Sequence, residues 1–132
     1  MADTSVLIEL ERLTAAMLPD EVSVSTVTLA ELAAGPHAAT DPEEAARRQA
    51  RLQLAEATFE ALPIDARVAR AYGRLYATAV KAGRKARGHR AMDLLIAATA
   101  LSAELPLYTC NPSDFGDLTD LVQVRAVSPA AA

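Results

Sequence analysis

The chain has 132 residues, 52% of them apolar and 23% charged, a size and mixture that suits one hydrophobic core and excludes both a disordered chain and a two-domain protein. One cysteine excludes an internal disulfide or a cysteine-rich zinc cage, and the longest apolar stretch, around Leu94–Leu101, is far short of the roughly 20 residues that span a bilayer. Taken whole, the net charge of −4 argues against nucleic acid or an anionic membrane as partner.

In chain order, Met1-Ala2-Asp3-Thr4 has neither the basic nor the apolar region of a secretory signal, so the cytoplasm is the expected compartment. Ser5–Leu13 places Val6, Leu7, Leu10 and Leu13 near one helical face, with Asp3 or Thr4 as cap. Val22–Thr26 alternates strictly and reads as a strand; Thr28 then opens a helix that Gly35-Pro36 should end. Asp41-Pro42-Glu43-Glu44 has the cap, proline and acidic first turn of a helix start, and that helix should run to about Phe59. Leu62-Pro63-Ile64 is a short strand candidate, confined by Pro63 to an edge or an end. Asp65 caps a long helix to about Gly83; a basic loop and a helix over Ala91–Ser102 come next. Leu105–Cys110 and Leu121–Val127 read as two further strands. Strands alternating with helices predict an α/β fold, a three-layer α/β/α sandwich around a mainly parallel sheet. A single domain over 1–127 and a frayed tail over 128–132 are expected.

Charge is distributed unevenly along this pattern. Between Ala66 and Met92 lie eight bases and no acid, while the remainder holds five bases against 17 acids, so −4 is the balance of +8 and −12. Asymmetry of that size points to a polyanion partner.

Four acids fall where an open parallel sheet binds ligands, at the C-terminal ends of its strands. Asp3 follows the first residues, Glu31 lies one helical turn beyond Val22–Thr26, and Asp114 follows Leu105–Cys110. Asp93 begins a helix whose small Ala97 and Ala100 let it lie close to the sheet. Each acid also has a plain structural reading. Thr28 to Glu31 fits a capping box, Asn111 to Asp114 fits a cap followed by proline and an acid, and Asp3 and Asp93 fit helix starts.

The segments Asp3–Ile8, Thr28–Leu32, Asp93–Ala100 and Thr109–Phe115 resemble, in order and over nearly the whole chain, the four signature blocks of PIN-domain ribonucleases. The subgroup they resemble is the VapC-type toxins of bacterial toxin–antitoxin pairs. The resemblance implies that Asp3, Glu31, Asp93 and Asp114 form a catalytic, metal-binding quartet, with Thr109 and Asn111 as a supporting polar pair. Asp117 is a further acid just outside the last block. The sequence departs from the family at its start, where only Met1 and Ala2 precede Asp3; either the first strand is clipped or the true start lies upstream.

Four crowded carboxylates repel one another, and a divalent cation resolves the conflict; all-oxygen ligands suit Mg²⁺ or Mn²⁺. Such an ion activates water and stabilises charge on a scissile phosphate, so hydrolysis leaving a 5′-phosphate and a 3′-hydroxyl is expected. Lys81, Arg84, Lys85, Arg87 and Arg90, next to Asp93, are candidate RNA contacts, against the alternative of a solvated loop punctuated by Gly83 and Gly88. Arg67, Arg70 and Arg74 read as the exposed face of their helix, His89 as a surface histidine and Cys110 as a buried thiol.

A receiver domain would need paired acids after its first strand, and an aspartyl-phosphate phosphatase an Asp-x-Asp where this chain has Asp3-Thr4-Ser5. Neither fits. The resemblance further implies a structured RNA substrate, often tRNA, a homodimer, and inhibition by a cognate VapB-type antitoxin; the apolar helices Ser5–Leu13 and Thr28–Ala34 are candidate docking faces, with core packing as the open alternative. The alternative is a catalytically inactive module of the same fold that binds RNA or protein.

Overall fold

The computed structural model describes residues 1–129, so positions 130–132 of the expected tail lie outside the described residues. Four short strands form the sheet: β1 (Ser23–Ser25), β2 (Glu60–Leu62), β3 (Leu107–Thr109) and β4 (Val124–Ala126). β1 pairs in parallel with β2, and β3 with β4. Ala2 joins the two pairs, bridging Val24 on one side and Tyr108 on the other, both in parallel. The order across the sheet is therefore β2, β1, Ala2, β3, β4. The first residues take the central place in the sheet, and Asp3 leaves it at the point where the strand order reverses, the usual ligand crevice of such sheets.

Five helices cover the sheet: α1 (Thr4–Ile8), α2 (Thr26–Ala38), α3 (Pro42–Thr58), α4 (Ala66–Lys81) and α5 (His89–Ser102). One core cluster joins α4 and α5 to Leu107, Phe115 and Leu118; the other joins α1, α2 and α3 to Val24 and Val127. This is the expected three-layer arrangement. On α4 the buried Val68, Ala71, Leu75 and Ala79 repeat at helical spacing, leaving Arg67, Arg70 and Arg74 exposed as their positions predicted. α5 is buried over most of its circumference, and its Ala97, Ala98 and Ala100 admit close neighbours. Among the described residues no helix is long and apolar enough to cross a membrane.

Several boundaries differ from the sequence reading. α1 ends at Ile8 and gives way to a 3-10 turn over Leu10–Arg12. α2 begins two residues before Thr28, because Ser25 Oγ accepts from the Val27 N–H and is the true cap. It also continues through Gly35-Pro36 to Ala38. Glycine before proline lacks the Cβ that would clash with the ring, and Arg48 Nη1 donates to the Gly35 carbonyl at 2.9 Å. β2 stops just before Pro63 instead of spanning it, and lies at the sheet edge. β3 excludes Leu105 because that residue belongs to the exit of α5. Leu105 N–H bonds Ala100 C=O and Glu104 N–H bonds Leu101 C=O, a Schellman closure with Glu104 at φ 56°.

Candidate functional site

Asp3, Glu31, Asp93 and Asp114 line one cavity of about 480 Å³ at the C-terminal rim of the sheet. They arrive from four separate segments: the end of the central strand, α2, α5, and the 3-10 helix Pro112–Leu118.

Asp3 is held most tightly. Its Oδ1 accepts from the Val6 N–H at 3.2 Å and from the Ser5 hydroxyl, so it does cap α1. Its Oδ2 accepts from Thr109 Oγ1 at 2.6 Å. Burial pushes the Asp3 carboxyl above its ordinary value, and these hydrogen bonds to the charged form pull it back. Capping and membership of the acidic cavity are thus both satisfied by one side chain. Glu31 makes no capping box. Its Oε1 accepts from Thr4 Oγ1 at 2.6 Å, while Ser25 serves the helix start.

Asp93 lies two residues deeper in α5 than the sequence suggested, since the helix starts at His89 after Gly88, whose φ is 62°. Its carboxyl is pushed up to about 6, chiefly by burial; His89 opposes the shift, and the charges of Asp114, Glu31 and Asp3 add to it. The four carboxylates therefore sense one another electrostatically. Among the described residues, no three His, Cys, Asp or Glu side chains converge tightly enough to ligate one ion directly.

Thr109 is fully buried and central to the support: it donates to Asp3 and accepts from the Asn111 N–H at 2.9 Å. Asn111 lines the cavity, and its side chain makes no cap bond to the following 3-10 helix. Of the five bases expected to meet RNA, Lys81, Lys85 and Arg87 are exposed. Arg84 and Arg90 are engaged within the chain: Arg84 Nη1 lies 3.0 Å from Asp117 Oδ1, and Arg90 Nη1 donates to the Asp114 carbonyl at 3.1 Å. None of the five lines the cavity.

The cavity contains residues the sequence reading left out. His89 is a surface residue, as its position suggested, but it stands at the cavity mouth: its ring nitrogens lie 3.9 Å from Glu31 Oε2 and 3.9 Å from Asp93 Oδ1. Its spacing of four from Asp93 on one helix was the available signal. Thr4 and Ser5 were adjacent to Asp3 and legible for that reason. Arg48 and Arg51 line the cavity from α3, and no local pattern could have announced them, because they reach it only through the packing of α3 on α2.

The family model for the PIN domain matches residues 1–119. Ribonuclease VapC5 of Mycobacterium tuberculosis is 39% identical over 128 residues, covering 95% of this chain and 91% of that protein. The chain belongs to the VapC group of the PIN-domain family. The crystal structure of VapBC-5 from Mycobacterium tuberculosis, a member of the VapBC family of toxin–antitoxin systems, matches this PIN domain with a TM-score of 0.81 at 38% identity, covering 96% of this chain and 95% of that one. VapBC-1 from nontypeable Haemophilus influenzae matches it with a TM-score of 0.72 at 30% identity, covering 96% of each chain.

Proposed function

We propose that this VapC-family PIN domain is a metal-dependent endoribonuclease that hydrolyses structured RNA, with tRNA the expected class, and that a VapB-type antitoxin inhibits it. The observation that carries this reading is the convergence of Asp3, Glu31, Asp93 and Asp114 on one cavity. Asp3, Glu31, Asp93 and Asp114, with no thiolate or buried imidazole beside them, make a hard, all-oxygen donor set, and burial together with the charges of Asp114, Glu31 and Asp3 raises the Asp93 carboxyl. That set fits Mg²⁺ or Mn²⁺, and Mg²⁺ commonly keeps several of its waters instead of binding every available carboxylate. Asp3, Glu31, Asp93 and Asp114 would hold the ion, which when bound supplies charge stabilisation at the scissile phosphate and an activated water.

The remaining tasks belong to the chain. Ser5 and Thr109 fix both oxygens of Asp3, Thr4 fixes Glu31, and each hydroxyl keeps its carboxylate aimed without adding charge. Arg51 on the cavity wall and the exposed Lys81, Lys85 and Arg87 supply positive charge for flanking phosphates. The antitoxin proposal is supported by the matched toxin–antitoxin structures, and a homodimer and a cytoplasmic setting are part of the same reading.

The test is cleavage of purified tRNA and ribosomal RNA with Mg²⁺, with Mn²⁺ and with EDTA, by wild type and by Asp93→Asn checked for folding by circular dichroism. Wild type should cut only with a divalent ion and leave 5′-phosphate and 3′-hydroxyl ends, and the variant should lose at least about 100-fold. Full activity in EDTA or a 2′,3′-cyclic phosphate would contradict the mechanism. RNA binding without cleavage under every ion would leave the inactive module instead.

A further inference from the structure

The basic segment leading into Asp93 is built as a clamp. α4 closes in a Schellman motif, with Gly83 N–H bonding Val80 C=O and Arg84 N–H bonding Ala79 C=O, and Gly83 at φ 78° supplies the left-handed residue that this closure needs. The motif fixes the point at which the Arg84 side chain departs. Its guanidinium then reaches the 3-10 helix Pro112–Leu118, lying 3.0 Å from Asp117 Oδ1 and 3.4 Å from the Ser113 carbonyl. The Asp117 side chain is only 6% exposed, its Oδ2 has no partner among the described residues, and so Arg84 is what compensates a carboxylate buried beneath the turn. At the other end of the segment, Arg90 Nη1 donates to the carbonyl of Asp114 itself. Two arginines thus hold the turn on either side of the acid it presents.

We propose that Arg84, through its pair with buried Asp117, is a positioning residue that holds the 3-10 turn so that Asp114 faces the acidic cavity, with Arg90 holding the same turn at the Asp114 carbonyl. This rests on the proposed nuclease reading for its activity readout, but not for its binding readouts. Arg84 and Arg90 leave the set of RNA contacts, which then falls to Lys81, Lys85 and Arg87. A 3-10 helix has poorer hydrogen-bond geometry than an α-helix, and this one has no side-chain cap, so its placement leans on such outside contacts.

The experiment compares Arg84→Ala, Arg84→Lys, Asp117→Ala, Asp117→Asn, the double variant Arg84→Ala/Asp117→Ala, and Arg87→Ala. Three quantities are read: the dissociation constant for tRNA in EDTA across a salt series, Mn²⁺ affinity by calorimetry, and kcat with Mg²⁺. Arg84→Ala and Asp117→Ala should each weaken Mn²⁺ binding and lower kcat by about tenfold or more, as loss of an outer support does. Their RNA affinity and its salt slope should stay within about twofold of wild type. The double variant should be no worse than either single one, because both remove the same contact. Arg84→Lys and Asp117→Asn should retain part of the kcat and keep the fold if the alanine variants do not. Arg87→Ala should do the reverse, weakening RNA binding and lessening its salt slope while Mn²⁺ affinity stays within about twofold of wild type. The proposal is overturned if Arg84→Ala behaves like Arg87→Ala, or if Asp117→Ala and Asp117→Asn leave Mn²⁺ affinity and kcat unchanged. If wild type cuts no RNA, the nuclease reading fails alone, and Mn²⁺ affinity together with RNA affinity still decides the role of Arg84.

Discussion

Asp93 reports the condition of the whole cavity through one titration. Its carboxyl sits near 6 in the folded chain against an ordinary 3.8. Between those values the folded state holds a proton that the unfolded state has released, so this group favours folding more as pH falls from neutrality toward 4. In EDTA, the melting temperature of wild type relative to Asp93→Asn should therefore rise between pH 7.5 and pH 5, and the variant should be the more stable of the two at pH 7.5. Parallel pH profiles for the two proteins would refute the raised Asp93 carboxyl. Thr109 is the second residue-scale test. Thr109→Val leaves Asp3 Oδ2 and the Asn111 N–H without their partner in a buried site, a loss of about 1–3 kcal/mol. Urea denaturation should register it, and Thr109→Ser should recover most of it. The chemistry of these residues was legible in the sequence because acids and hydroxyls stand in compact local blocks. The choice between capping and site was not. Asp3 does both, while Glu31 abandons the cap because Thr4, 27 positions away, offers its hydroxyl.

Element boundaries are set by how helix ends find hydrogen-bond partners. Ser25 captures the start of α2, and the Schellman closures of α4 and α5 shorten the loop and the strand that come after them. The exit of α5 carries a cost that α4 avoids, since Glu104 occupies the left-handed conformation that Gly83 supplies in α4. Glu104→Gly should accordingly raise stability by about 0.5–1 kcal/mol, the left-handed penalty less the extra freedom glycine gives the unfolded chain. Chemical denaturation checks it, and an unchanged midpoint would show that the strain is absorbed elsewhere. The helices were readable from periodicity and caps. β1, β3 and β4 were readable in place but not in length, because pairing in this sheet extends over only three residues of each, and β2 overlaps its expected position only at Leu62.

At the scale of the molecule, Ala2 joins the two halves of the sheet and is fully buried. Its N–H bonds the Ser23 carbonyl at 2.9 Å, and the flanking Asp3 N–H and Met1 carbonyl bond Tyr108, so both neighbouring strands depend on the backbone at this point. Ala2→Leu should cost about 1–3 kcal/mol by overpacking the centre of the sheet, measured by urea denaturation, whereas a shift within error would mean the layers can separate there. The whole-molecule charge also has a different meaning once its parts have places. The +8 segment divides into Arg67, Arg70 and Arg74 on the outer face of α4, Arg84 and Arg90 bound to the 3-10 turn, and the exposed Lys81, Lys85 and Arg87. By itself the sequence determined the α/β pattern, the four acids and their order, since alternating periodicity and local blocks are short-range properties. Only the tertiary structure decided that Arg48, Arg51 and His89 join those acids, and that Arg84 faces a buried aspartate across 33 positions instead of solvent. Side-chain partners so distant along the chain are set by how layers pack, and no local pattern records that.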